Sequence, residues 1–170
     1  MQERTRLLPI VGFIALTLGV GSLPGVFIQP QASYASQPKP WFTPPGWVIG
    51  SVWSVLFKLI GTAAGIVYQR PARAGFFRVY ALNLGLNVLW TPLFFGLRRP
   101  DLALVEIVPL WASTLALVLS ARRRSRPASL LLWPYLAWVT FAAFLNFSIV
   151  NGLFVDRPHW LSRAPASTQR

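Results

Sequence analysis

The chain has 170 residues, of which 54% are hydrophobic and 12% are charged, and it carries a formal net charge of +12. Soluble domains contain about a quarter charged residues, so this composition excludes an ordinary soluble globule. Most basic residues lie at the ends of apolar runs or in the terminal segments, which suits an anionic membrane surface and excludes a nucleic-acid partner. The sequence contains no cysteine, which excludes disulfides and thiolate metal sites.

Five apolar runs are long enough to cross a bilayer, which requires about 20 mostly apolar residues. Backbone polar groups must be satisfied inside lipid, so each run is expected to be a helix. We therefore predict an all-α integral membrane protein, a single five-transmembrane-helix bundle within 1–157, followed by a disordered tail over 158–170. The first run is longer than the apolar part of a signal peptide, which favours a span over a cleaved leader. The spans are predicted at 7–28, 46–68, 77–97, 102–121 and 130–155.

The basic residues are distributed unequally between the two ends of the predicted bundle. Cytoplasmic loops of membrane proteins carry an excess of Lys and Arg, so the more basic end, which includes the N-terminus, is predicted to be cytoplasmic. The loop between the first two spans then lies on the opposite side. The basic end holds Arg4, Arg6, Arg70, Arg73, Arg78, Arg122, Arg123, Arg124 and Arg126, whereas the other end holds Lys39, Arg98, Arg99 and Arg157 near the spans.

The segment 39–53, which joins the first two spans, is rich in proline and tryptophan. Proline fixes its own φ and removes a backbone donor, so this loop is expected to be stiff. Its tryptophans allow two interpretations, as anchors at the membrane–water interface or as the lid of an apolar pocket. The residues concerned are Pro40, Trp41, Pro44, Pro45, Trp47 and Trp53.

Two of the predicted helices carry polar residues within the membrane, where they are costly and therefore mark candidate sites. In the third span, Asn83 and Asn87 lie one turn apart on a face that Trp90 continues. These faces are either the walls of a pocket for a flat apolar ligand or surfaces for interhelical hydrogen bonds. The corresponding face of the fifth span consists of Trp138, Ala142 and Asn146.

Lys58 lies near the middle of the second span, where a charge costs at least about 2.5 kcal/mol. Two hypotheses account for it: an ion pair with Glu106 across the bundle, or a side chain that extends toward the surface or a wet cavity. The only histidine, His159, lies beyond the last span, so no metal site or axial haem ligand is expected within the membrane.

Small residues recur at a spacing of four in two of the spans, at Gly61 and Gly65 and at Ala81 and Gly85. Small residues allow two helix backbones to approach closely, which drives helix association in lipid. Within one chain, we expect such pairs to pack neighbouring helices rather than a second subunit.

Several ordered blocks between 34 and 146 resemble the TspO/MBR family, the tryptophan-rich sensory proteins that include the mitochondrial translocator protein. The first-loop blocks are Lys39-Pro40, Pro44-Pro45-Gly46-Trp47 and Trp53. The third-helix block consists of Asn83 and the run 87–96. The fourth-helix block consists of the run 103–106 and Trp111. The fifth-helix block is the run 134–138 with Leu145-Asn146.

This resemblance implies a tight five-helix bundle, usually a homodimer, with a cavity beneath the first loop. Members of the family bind porphyrins and related tetrapyrroles, sterols, and synthetic isoquinolines and benzodiazepines. The sequence departs from the family pattern at Ser33, Gln37, Ile49 and Phe57, which alters the expected lid and one wall of the pocket. The lack of the sterol motif favours a bacterial over a mitochondrial member and a tetrapyrrole ligand, with no resident cofactor. The implied ligand-binding residues are Tyr34, Pro44, Trp53, Asn83, Asn87, Trp90, Trp138, Ala142 and Asn146.

Three functions follow as alternatives, of which a non-catalytic membrane receptor or carrier for porphyrin-type ligands is favoured. The second is a light- and oxygen-dependent porphyrin-degrading enzyme, for which the resemblance makes Trp53 and Trp138 the catalytic candidates. The third is a proton- or drug-coupled exporter, which Lys58 and Glu106 would serve.

Overall fold

A computed structural model describes residues 2–28 and 40–153, with side chains from Leu7 onward in the first range. Tyr34, Lys39 and the predicted tail over 158–170 lie outside these ranges. In the described part, five helices are long and apolar enough to cross a membrane, which confirms the all-α five-helix fold. They are α1 (Gln2–Phe27), α2 (Gly46–Tyr68), α3 (Ala74–Thr91), α4 (Pro100–Arg122) and α5 (Arg126–Val150).

Local sequence explains where these helices begin. Pro100 opens α4, because a proline in the first turn has no helical hydrogen bond to lose. Pro45 directly precedes α2 and is its N-cap residue. Ser125 caps α5 by accepting a hydrogen bond from the Ala128 N–H. Helix α3 continues beyond Thr91 as a π-helical turn over Pro92–Gly96, in which the Leu97 N–H donates to the Pro92 carbonyl at 2.8 Å.

The five helices form a closed ring in the order α1, α2, α5, α4, α3 and back to α1. The seam between α1 and α2 is close, since a Cβ added at Gly61 would lie 2.5 Å from the Cα of Ile14. Gly65 approaches the backbone of Ile10 in the same way. The expectation that this pair packs neighbouring helices is confirmed, whereas Gly85 on α3 is exposed and a Cβ there would meet nothing within 4 Å.

Aromatic side chains fill the half of the bundle near the α2–α3 loop. Phe13 of α1 stacks on Phe77 of α3 at 5.2 Å between ring centroids and meets Tyr80 edge-on at 6.1 Å. Thr17 and Tyr80 share a buried hydrogen bond of 2.7 Å between their hydroxyl oxygens. Because this half is packed with rings, space for a ligand is left in the opposite half.

The predicted ion pair between Lys58 and Glu106 is wrong. Glu106 is buried on α4 with both carboxyl oxygens unpartnered among the described residues, and Lys58 is exposed on α2. The reason is the ring order, in which α2 packs against α1 and α5 while α4 packs against α3 and α5. In the described part of the chain, the ion pair that forms joins Arg99 and Asp101 at 2.7 Å.

Candidate functional site

A cavity of about 470 Å³ lies between the helix ends nearest the α1–α2 connection. This size falls within the range of small-molecule sites. All five helices contribute to its wall, with mostly apolar side chains and a few polar groups among them. The lining includes Gly21, Gly25, Trp53, Phe57, Asn87, Trp90, Phe94, Phe95, Ile107, Leu110, Trp138, Phe141, Ala142 and Asn146.

Most of the residues implied by the family resemblance meet at this cavity. One comes from α2, two from α3 and three from α5, so the two polar faces inferred from the sequence do turn toward a shared space. Tyr34 lies outside the described residues. The predicted residues found in the lining are Trp53, Asn87, Trp90, Trp138, Ala142 and Asn146.

Asn83 is a predicted ligand-binding residue that the structure places elsewhere. It is buried outside the lining, and its Nδ2 donates to Ser113 Oγ at 2.8 Å and to Thr114 Oγ1 at 2.9 Å. Its Oδ1 accepts from the Tyr135 hydroxyl at 3.0 Å. The amide of Asn83 is occupied by groups of α4 and α5, so this residue joins three helices. Of the two interpretations of the polar face, Asn83 fits interhelical hydrogen bonding rather than ligand binding.

Pro44 also lies outside the cavity lining. The neighbouring Phe42 packs on α5, with its ring stacked on Phe144 at 5.6 Å between centroids. Trp41 and Trp47 are each 72% exposed, so they fit interface anchors rather than a lid. Of the tryptophans in segment 39–53, Trp53 is the one that faces the ligand space.

Asn87 both lines the cavity and bonds to the buried interior. Its Nδ2 donates to the hydroxyl of Tyr135 at 3.2 Å, and that hydroxyl donates onward to Asn83. Tyr135 is fully buried and therefore fixes the side chain of Asn87 from behind. Sequence reasoning gave Tyr135 no role, although a tyrosine three residues before Trp138 on an apolar helix was a detectable signal.

Asn146 is held by the first turn of α4. In the amide orientation that satisfies both groups, its Nδ2 donates to the Pro100 carbonyl at 3.0 Å and its Oδ1 accepts from the Leu104 N–H at 3.1 Å. This side chain therefore bridges α5 to α4 while forming part of the cavity wall. Its position is set by backbone groups, which makes that wall rigid.

Two indole N–H groups at the cavity are buried without a partner among the described residues, at Trp90 Nε1 and Trp138 Nε1. An unsatisfied buried donor costs about 1–3 kcal/mol. Because most of the lining is apolar, the cavity is suited to a largely apolar molecule.

The π-helical turn shapes one end of the cavity. Trp90 stacks on Phe94 at 4.8 Å between centroids, and Phe94 meets Phe95 edge-on at 4.8 Å. Pro92 cannot donate to the Val88 carbonyl, and π-helical turns often occur at functional sites. The sequence analysis gave Phe94 and Phe95 no role in the site, because apolar residues near a helix end carry no distinguishing signal.

Comparisons with known proteins find related sequences over most of the chain. A model of the TspO/MBR family matches residues 13–151. The tryptophan-rich protein TspO of Chlorobaculum tepidum is 40% identical over 144 residues, or 81% of this chain and 91% of that protein. Its counterpart from Archaeoglobus fulgidus is 38% identical over 84% of this chain and 95% of its own length. The translocator protein of Ovis aries is 34% identical over 82% of this chain and 86% of that protein.

Proposed function

The chain is a multi-pass integral membrane protein of the TspO/MBR family, and we propose that it is a receptor or carrier for porphyrin-type tetrapyrroles. The observation that carries the proposal is the cavity of about 470 Å³ with three indoles in its wall. Its higher identity to bacterial and archaeal relatives than to a mammalian translocator protein supports a bacterial membrane.

The chemistry of the wall suits a flat apolar macrocycle. Trp53, Trp90 and Trp138 offer aromatic faces, and such faces attract a second aromatic system in offset-stacked or edge-on arrangements. Asn87 and Asn146 are oriented by the groups behind them, so the ligand meets a pre-formed site.

A binding titration with a matched pair of variants tests this function. Protoporphyrin IX would be added to the protein in lipid nanodiscs and followed by the shift of its absorption band. Trp138→Phe reduces the aromatic face offered to the ligand, at a cost of about 1 kcal/mol, so Kd should rise about fivefold. Trp133→Phe is the control, because Trp133 lies on the same helix, half-exposed and outside the cavity. Equal Kd values for both variants, or no saturable binding, would contradict the proposal.

Light-dependent degradation of the bound porphyrin is the second candidate function. It is favoured by one observation, namely that Trp53 and Trp138 line the same cavity and both would touch the ligand. Illumination of the complex in the presence of oxygen should then bleach the porphyrin bands. Bleaching that continues unchanged when Trp53 and Trp138 are both replaced by phenylalanine would remove the enzymatic interpretation.

A further inference from the structure

A second hollow lies outside the bundle, in the seam between α2 and α5. It is an open apolar groove of about 570 Å³, whose α2 side includes Val55 and whose α5 side includes Pro134 and Ala137. These residues belong to two membrane-spanning segments, so the groove faces the hydrocarbon of the bilayer. The α2–α5 seam is also packed less closely than the glycine-lined seam between α1 and α2.

The groove and the cavity share part of their walls. Trp138 and Phe141 line both, so these two rings form the partition between the bilayer and the ligand space. Pro134 lies one turn before Trp138 and has no N–H to donate to the carbonyl of Leu130. The helix that carries the partition is therefore weakened by one backbone hydrogen bond beside the groove.

Lys58 is not part of the groove lining but lies beside it on α2, and no ion-pair partner for its side chain occurs among the described residues. It shares the exposed face of α2 with Val55 three residues earlier and Ser51 seven residues earlier, both of which line the groove. At 1.5 Å per residue, Lys58 lies roughly 15 Å from Tyr68 and roughly 18 Å from Gly46, the two ends of α2. A lysine side chain of about 6 Å cannot reach either surface of the membrane from there.

We propose that the groove is a binding site for lipid-soluble carboxylic acids, whose carboxylate meets Lys58 and whose apolar body passes the Trp138–Phe141 partition into the cavity. An anionic group beside Lys58 offsets the cost of placing its charge in hydrocarbon. This inference rests on the proposed function, since it assigns the route by which an acidic porphyrin reaches the cavity from the bilayer.

The test compares two probes with the same macrocycle, protoporphyrin IX with its two carboxylates and the uncharged dimethyl ester. Each probe is loaded into lipid vesicles, and its transfer to protein in proteoliposomes is followed by stopped-flow quenching of tryptophan fluorescence. Lys58→Met should slow association of the diacid about tenfold, because charge attraction accelerates encounter by such factors. Lys58→Met should leave the association rate of the ester unchanged. Lys58→Arg, which keeps the positive charge, should retain the association rate of the unaltered protein for the diacid.

A second variant tests the groove itself. Ala137 is exposed and lines the groove but not the cavity, so Ala137→Leu should slow the association of both probes about tenfold by narrowing the passage. Dissociation should slow by the same factor, which leaves Kd within about twofold. Ala112→Leu, at an exposed position of α4 away from the groove, is the control and should leave both rates unchanged.

The outcomes separate this inference from the proposed function. If the protein binds porphyrin normally at equilibrium and neither Lys58→Met nor Ala137→Leu alters the association rates, the proposed route is overturned. The proposed receptor function would still stand. Equal slowing of the diacid and the ester by Lys58→Met would overturn the role of the charge. No saturable binding by the unaltered protein would overturn the proposed function, and the route with it.

Discussion

At the scale of single residues, two asparagines one turn apart on α3 have different roles. Asn83 is enclosed by groups from α4 and α5, whereas Asn87 presents part of its amide to the cavity. The difference arises because α4 lies against the deeper half of α3, where Ser113 and Thr114 supply acceptors. Identical side chains at positions i and i+4 thus divide into a structural residue and a candidate ligand contact.

Replacing each asparagine separately should distinguish these roles. Asn83→Ala leaves the hydroxyl of Tyr135 without its acceptor, so the free energy of unfolding should fall by about 1–3 kcal/mol, while the Kd of the folded protein for protoporphyrin IX stays unchanged. Asn87→Ala should instead raise Kd, with a smaller effect on stability. Denaturation in detergent and the nanodisc titration measure the two quantities. A larger change in Kd for Asn83→Ala than for Asn87→Ala would contradict this assignment.

Asn146 offers a test of rigidity in the cavity wall. Asn146→Ala would leave the Pro100 carbonyl and the Leu104 N–H without the amide that bridges them. We expect the variant to lose about 1–3 kcal/mol of stability and to bind protoporphyrin IX more weakly, because this residue contributes to both the α4–α5 seam and the wall. Retained stability with weakened binding would show that the bridge does not hold the helices together.

At the scale of helices, the small-residue pairs on α2 and α3 look alike in the sequence but face different surroundings. The pair at Gly61 and Gly65 meets the backbone of α1, whereas Gly85 faces outward. A helix in lipid gains stability from close backbone contact, so the first pair determines the distance between α1 and α2.

Two glycine-to-alanine substitutions should therefore have opposite effects. In Gly61→Ala the new Cβ would collide with the main chain of Ile14, so α1 and α2 must move apart. We expect the free energy of unfolding to fall by about 1–3 kcal/mol. Gly85→Ala meets open space and raises helix propensity, so stability should stay the same or increase by up to about 1 kcal/mol. Thermal unfolding in detergent compares them, and an equal loss in both variants would contradict the close seam.

At the scale of the whole molecule, orientation in the membrane is a prediction from charge alone. The loops joining α2 to α3 and α4 to α5, together with the helix ends beside them, carry most of the described arginines, and Arg124 connects the two loops by donating to the Ala72 carbonyl at 2.8 Å. The more basic end is expected to face the cytoplasm.

The lack of native cysteines makes this orientation simple to measure. Cysteine introduced at the exposed Arg123 should react with a membrane-impermeant maleimide only after the cells are opened, whereas cysteine at the exposed Trp41 should react in intact cells. The reverse pattern would show that the positive-inside rule fails for this chain.

The homodimer expected from the family resemblance also belongs to this scale. Ala81 and Gly85 are exposed on α3, where a second copy could approach closely. If this face is the dimer contact, Gly85→Leu should reduce cross-linked dimer in membranes severalfold without loss of monomer stability. If Gly85→Leu leaves the yield of cross-linked dimer unchanged, the dimer contact does not lie on this face of α3.

The sequence alone determined the number, position and approximate ends of the spans, because a bilayer demands about 20 apolar residues and internally satisfied backbone groups. It also identified the tryptophans and asparagines that approach the cavity. Only the tertiary structure decided that Asn83 joins helices, that Lys58 and Glu106 lie on non-adjacent helices, and that Trp41 and Trp47 face outward. The physical reason is that the neighbours and rotation of each helix depend on the packing of all five, which no single segment encodes.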